Sequence, residues 1–482
     1  MSKVSLSFFL LLVLASTGNT EKITLDAALG RLIGATARGK IVNGQREVAQ
    51  AKFSAQRIGY YLPEISLNTT LPTYRKSQSY DRYFGFSDPI FFKSTAISGT
   101  GNIQLKQKII TGGDLTLQAA VDLRNDEYPA SSNAGIITAT DKRRLGNLYL
   151  QFTQPLFKAS ESRSAYSDAR DNLEKAEIEW RASQADLKKE GVTAYFDLLT
   201  ADIDRQSAEQ DRLLAEYNAK WDSVKFAAGA ITEEAWLTSR STQIEKQLGL
   251  YDVSATFEEK VNGLNHLLDL PVDSKPELDD PVTPIPPDSN RVRWFLENAE
   301  KGSETELSRI KMEMAERSLN TTRSGMGING SLKTSYAVGR GTVNPGLSED
   351  QKIDTRDWQV TVDLSYPIWD GGASSAGLRS QELSFESARL EYQASQRSAK
   401  NKLAILLKRL EINQSKLALL DQELELAGRK LNDAQSRYDK GIISDKTLLE
   451  NRLANLKTQK DRLTALKNYY LDLAELEKVG TL

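Results

Sequence analysis

The chain has 482 residues, 63 Lys and Arg against 65 Asp and Glu, a single histidine and no cysteine. A formal charge of −2 excludes the basic footprint of a nucleic-acid binder, and the absence of thiols excludes disulfides, thiolate metal sites and a cysteine-borne lipid anchor. With 27% charged residues and a mean hydropathy of −0.46, the chain suits an elongated helical protein better than two or three compact globules.

The N-terminus reads Met-Ser-Lys, then an apolar run from Leu6 to Ala15 and the small residues Ser16, Thr17 and Gly18. This is the three-part pattern of a secretory signal peptide, residues 1–18, with cleavage expected between Ser16 and Thr20. The run is too short to cross a bilayer as a helix, and nothing downstream approaches ~20 uninterrupted apolar residues. The stretch ITLDAAL then opens a helix expected over residues 23–60, with Thr24 placed to cap it.

Strands follow. Ile65, Leu67 and Leu71 alternate with Glu64, Ser66, Asn68 and Thr70, and Leu148, Leu150 and Phe152 alternate with Asn147, Gln151 and Thr153. Between the two lies IQLKQKIITGGDLTLQAAVDLRND, where Leu115, Leu117, Ala119, Val121 and Leu123 alternate beyond a Thr-Gly-Gly-Asp turn. This hairpin is either two more strands of the same sheet or an elaborated loop.

Past Pro155 a helical hairpin is expected over about residues 158–270, turning at FAAGAITEEAW. There Gly229 tolerates the left-handed conformation that closes a helix, and Thr232 can cap the next one. Residues 271–290, PVDSKPELDDPVTPIPPDSN, hold six of the thirteen prolines and suit neither helix interior nor central strand, so they read as a linker. A second helix is expected over residues 290–322.

It leads into Ile328, Leu332, Tyr336 and Val338, opposed by Asn329, Ser331, Lys333 and Ser335. In WQVTVDLSYPIW, Trp358, Val360, Val362, Leu364 and Tyr366 share one face, and Gln359, Thr361, Asp363 and Ser365 the other.

After Pro367 the period changes to seven. Leu403, Leu406, Leu410, Leu417, Leu420, Leu424, Ala427, Leu431, Ala434 and Tyr438 form a coiled-coil seam broken at Asn413. A helix from Ser374 to Tyr438 would be roughly 95 Å long at ~1.5 Å per residue, too long for the interior of a globule. It ends at YDKGIISDKTLLE, where Gly441 and Ser444 repeat the turn-and-cap pattern, and the chain returns with Leu449, Leu453, Leu456 and Leu463 as its stripe.

The two halves are copies. AEIEWRASQ at 176–184 returns as ARLEYQASQ at 388–396, and at the same offset Pro155 falls on Pro367, Phe157 on Trp369, Gly229 on Gly441, Ile231 on Ile443 and Thr232 on Ser444. The expected organisation is a first repeat at 19–270 with strands at about 64–157, the linker at 271–290, and a second repeat at 291–482 with strands at about 327–369 and a hairpin at about 374–480.

Alternating strands usually form a half-buried sheet in a soluble domain. Here Trp358 and Tyr366 flank an aliphatic stretch as an interfacial girdle flanks a lipid-facing band. Four such strands cannot close a barrel alone, and an open edge in lipid would leave backbone groups unpaired, so a membrane form must oligomerise.

The order ITLDAAL, YYLPEISL, LQFTQPLF, GLNHLLDLP, DLSYPIWDGG, YDKGIISDKTLLENRL and NYYLDLAELEKVG resembles the TolC-like outer-membrane efflux proteins over nearly the whole mature chain. The resemblance implies a mainly α fold with long coiled-coil hairpins and a transmembrane β-barrel part, with four strands per protomer, or six if the extra hairpin joins. Closure by a homotrimer would give twelve strands and a helical tunnel across the periplasm.

It also implies a passive outer-membrane channel of a tripartite efflux or type I secretion system, working with an inner-membrane pump and a periplasmic adaptor (membrane fusion) protein. The adaptor would dock at the tip turns, Gly229, Thr232, Gly441 and Ser444. The gate would use Tyr438, with Glu450 lining the entrance and Glu233 or Glu234 as acidic partners from the first repeat. The family member best known for the gate has an arginine where this chain has Ile443, and the companion acid expected one turn before Glu450 is Thr447.

No cofactor or metal is implied and no catalytic site is legible. His266 sits near a helix end, and the Gly-Gly pairs at 112–113 and 371–372 lack a Walker lysine or Rossmann context, so they read as turns. A secreted coiled-coil adhesin or structural stalk is the alternative reading, but it would require neither two-faced strands nor an internal duplication.

Overall fold

The computed structural model describes residues 22–81, 90–132, 135–158, 160–279, 297, 302–345 and 349–480. The expected signal peptide, the expected linker beyond residue 279 and most of the stretch from 290 to 301 lie outside that set. In chain order the elements are α1 (Leu25–Gly34), α2 (Ala37–Tyr61), β1 (Glu64–Asp81), β2 (Ile90–Lys108), β3 (Asp114–Ser132), β4 (Gly135–Pro155), α3 (Glu161–Ala227) and α4 (Glu233–Leu267). They continue with α5 (Ser303–Gly325), β5 (Asn329–Pro345), β6 (Gln351–Ser365), α6 (Ala373–Asp439) and α7 (Asp445–Gly480). The described residues divide into two compact units: those up to residue 45, at 178–305 and from 396 onward form a helical unit, and those at 46–177 and 306–395 a sheet unit.

In the helical unit Thr24 caps α1 as its position predicts, its Oγ1 accepting from the Ala27 amide at 3.2 Å. The single helix expected from 23 to 60 is broken in two at Thr36. This buried hydroxyl donates to the Leu32 carbonyl at 2.6 Å and accepts from the Gly39 amide at 3.1 Å, while an Asp269 carboxylate oxygen caps Ala37 at 2.7 Å. A hydroxyl that competes with the backbone for its own turn favours a cap over helix interior. The core gathers Leu32, Tyr195, Phe196, Leu264, Leu403, Leu466 and Tyr469, all fully buried.

Heptad positions Leu403, Leu406, Leu410, Leu417, Leu420 and Ala434 are buried as their spacing requires. The break at Asn413 has a partner: its side-chain amide donates at 2.8 Å to Asp472 of α7, a carboxylate only 3% exposed that also pairs with Arg409 at 2.7 Å. Burial pushes the Asp472 carboxyl up, and Arg409 and then Asn413 pull it back. A second seam joins α7 to α3, where Lys478, Lys467 and Lys460 reach Asp186, Asp197 and Asp204 at 2.8, 2.5 and 2.6 Å. Each step back along α7 matches an equal step forward along α3, which fixes one antiparallel register.

The sheet unit holds one six-stranded antiparallel meander in the order β1-β2-β3-β4-β5-β6. The extra hairpin is therefore part of the sheet, with β2 paired to β1 and β3 to β4. Its turn is closed by Gly112, at φ +93°, whose amide donates to the Ile109 carbonyl at 2.8 Å. A Cβ there would also run into the Ser160 side chain, so glycine is required twice over. No described helix is long and apolar enough to cross a membrane.

Candidate functional site

The two helical hairpins turn in the same way, atom for atom. Gly229 at φ +69° donates to the Phe226 carbonyl and Ala230 to Lys225; Gly441 at φ +72° donates to Tyr438 and Ile442 to Arg437. The longer bond of each pair spans six residues, the signature of a Schellman closure, which needs a left-handed residue and so selects glycine. The next helix starts on the predicted caps, with Thr232 Oγ1 accepting from Ala235 at 3.3 Å and Ser444 Oγ from Thr447 at 3.4 Å.

Side chains then diverge. At the first turn Phe226 stacks on Trp236 with centroids 5.1 Å apart and planes 3° from parallel. At the second, Tyr438 occupies the place of Phe226, and the neighbouring Asp445 carboxylate raises its phenol pKa. Neither Trp236 nor Asp445 stands out in the sequence as a partner, because each is recognisable only once the turn has folded.

Glu450 lies half-exposed off the buried stripe, which includes Leu448 as well as Leu449 and Leu456, and has Lys446 of the preceding turn 3.9 Å away. Glu233 and Glu234 are exposed in the first turn of α4, where they favour the positive end of the helix. Lys446 also helps hold the Asp222 carboxyl below its usual range, after the larger contributions from Lys225 and Ser239. The tip of the second hairpin thus lies beside the first. His266 is exposed, and the described residues hold no group of three potential metal ligands.

In the sheet unit the register sorts side chains into two faces. On one, Ile65, Leu105, Leu117, Leu150, Tyr336 and Trp358 stand directly opposite one another across all six strands. Five of them are exposed, Trp358 at 72%. The next row reads Leu67, Ile103, Ala119, Leu148 and Val338 before it ends at Arg356. Farther from the helices this face turns charged on β4 to β6, with Arg144, Arg340, Asp354 and Lys352. The opposite face carries Ser66, Asn102, Gln104, Gln118, Gln151, Ser335 and Gln359, among others. Exposed rows of large apolar side chains spanning a whole sheet belong against another apolar phase, not against water.

Residues 314–479 match the outer membrane efflux protein family. The CmeC outer membrane channel of Campylobacter jejuni superposes with a TM-score of 0.60 at 14% identity, over 95% of this chain and 85% of that one. This is a TolC-like fold. The outer membrane protein VceC of Vibrio cholerae gives 0.57 at 14% identity, over 95% of this chain and 96% of its own. No curated protein matches the sequence. The family match includes Tyr438, Gly441, Ser444 and Glu450; the first-repeat turn at Gly229, with Thr232, Glu233 and Glu234, precedes it.

Proposed function

We propose that this chain is the exit duct of a tripartite efflux or type I secretion system. It is a passive channel rather than an enzyme, a homotrimer set in outer-membrane lipid and extending into the periplasm, fed by an inner-membrane pump through a periplasmic adaptor. The observation that carries this reading is the apolar row from Ile65 to Trp358 on one face of a sheet whose other face is polar, in a chain that also carries two glycine-closed helical hairpins. A lipid-facing band over a watery lumen requires that pattern. A secreted adhesin or stalk would have no use for it.

In this reading a signal peptide at 1–18 is removed, the repeats at 19–270 and 291–482 each supply one hairpin of the periplasmic tunnel, and Gly229, Thr232, Gly441 and Ser444 shape the tip met by the adaptor. Tyr438 with Asp445 belongs to the gate, and Glu450, with Glu233 and Glu234 as its first-repeat counterparts, lines the entrance. The test is fractionation followed by planar-bilayer recording. A heat-modifiable trimer in the outer-membrane fraction that conducts ions is the expected result; a secreted or soluble monomer without conductance would refute the proposal.

A further inference from the structure

We propose that the membrane section formed by this chain is an eighteen-stranded barrel, six strands from each of three copies, closed where β6 of one copy pairs with β1 of the next. The inference rests on the trimeric-channel reading above and replaces the twelve strands that the family resemblance implies.

Three observations carry it. The first is continuity. The apolar row passes through β2 and β3 by way of Leu105 and Leu117, and β2–β3 pairing runs unbroken from Thr95–Glu127 to Lys108–Asp114. A four-strand contribution would have to peel this hairpin away and bring β1 onto β4, which abolishes both the β1–β2 and the β3–β4 ladders.

The second is parity. A meander with an even number of strands ends on strands of opposite direction, so β6 meets the next copy's β1 antiparallel and the ring closes without a mismatch. Both edges are apolar on the same face, with Ile65, Leu67 and Leu71 on β1 and Val360, Val362 and Leu364 on β6, all exposed.

The third is the slope of the band. Its apolar stretch runs Ile65–Leu71 on β1, Ile97–Leu105 on β2, Leu115–Leu123 on β3, Leu148–Phe152 on β4, Leu332–Val338 on β5 and Trp358–Leu364 on β6. Measured against the Ile65–Trp358 row, its centre slides toward the helix ends by about six residues over the steps from β1 to β6, with ~3.3 Å per residue and ~4.8 Å between strands. A band level with a membrane therefore requires strands tilted by ~40°, inside the ~35–45° range of closed barrels. The centre moves toward the helix ends at every step from β2 to β6, so the hairpin strands β2 and β3 share the band of β4 to β6 and belong to the barrel wall.

Two consequences follow. Barrel diameter grows roughly linearly with strand number, so the outer-membrane section would be about 1.5 times as wide as a twelve-stranded one and would not be the step that restricts cargo. Continuing the slope by one strand places Leu67 of the next copy opposite Val362 or Leu364. The seam should run from Glu64 to Thr70, below the bulge where Pro72 supplies no donor.

The natural chain has no cysteine, so introduced thiols report alone. Full-length Leu67→Cys/Val362→Cys and Leu67→Cys/Leu364→Cys proteins, oxidised in outer-membrane vesicles, should give covalently linked trimers with at least one of the two pairs, and Leu67→Cys/Trp358→Cys should not. The single-cysteine variants serve as assembly controls by native mass measurement. An intramolecular disulfide between Leu67→Cys and Leu148→Cys in assembled trimers would show β1 on β4 and overturn the eighteen-stranded barrel while leaving the channel reading intact. Assembled trimers that form none of these links would equally overturn the β6–β1 seam. Controls that remain monomeric would instead refute the trimeric reading itself.

Discussion

The two helical hairpins of this chain differ where their backbones agree. α3–α4 and α6–α7 turn on the same pair of hydrogen bonds and the same left-handed glycine, yet one turn carries an aromatic stack, Phe226 on Trp236, and the other sets Tyr438 beside the Asp445 carboxylate. The two turns share what the main chain needs and differ in what the side chains do. An aromatic stack is insensitive to charge, whereas a phenol beside a carboxylate is not.

The comparison is broken most severely by removing what the hairpins share. Gly229→Val and Gly441→Val each force a β-branched residue into the left-handed region, at a cost of about 1–2 kcal/mol. Equal losses of thermal stability are expected from both, with export impaired more than trimer formation in Gly441→Val. Normal export with a lost trimer would place that turn away from the adaptor.

The next effect sharpens the difference in charge. If three Glu450 carboxylates surround the entrance, multivalent cations should block conductance from the periplasmic side, and Glu450→Gln should remove most of that block without disturbing assembly. Lys446 lies close enough to weaken the ring, so Lys446→Ala should deepen the block. Block that survives Glu450→Gln and vanishes on neutralising Glu233 and Glu234 would assign the ring to the first hairpin.

Smaller still, Trp236→Ala should cost about 1 kcal/mol through the lost stack, measured by chemical denaturation, and leave gating unchanged. Tyr438→Phe should do the reverse, with little change in stability and a raised resting conductance.

The smallest effect concerns Asp472. Its carboxyl titrates above the usual range because it is buried, so the favourable, protonated form is present at low pH and is lost as pH rises through its folded value. Asp472→Asn stays neutral throughout. Its melting temperature relative to the natural protein should therefore rise as pH increases above the ordinary carboxylate range, and a parallel pair of curves would show that Arg409 and Asn413 already compensate the burial.

What the sequence determined by itself is what short-range chemistry dictates. Gly229 and Gly441 had to be turns because only glycine adopts their φ without strain, Thr24, Thr232 and Ser444 had to be caps, and a seven-residue leucine period had to be a seam. Alternation at Trp358–Leu364 marked a two-faced strand for the same reason.

Each strand looked short, because that alternation lapses once it passes beyond the apolar belt into residues such as Lys142, Arg144 and Arg340, although the ladders continue. Only the tertiary structure decided that the Thr-Gly-Gly-Asp hairpin joins the sheet, that the lapse at Asn413 answers a buried Asp472, and that Lys460, Lys467 and Lys478 lock α7 to α3. In each case the partner lies 59 to 292 residues away for the side-chain pairs, or on a neighbouring strand for the hairpin. No local pattern encodes a partner at that distance, since the pairing is selected by how the whole chain packs.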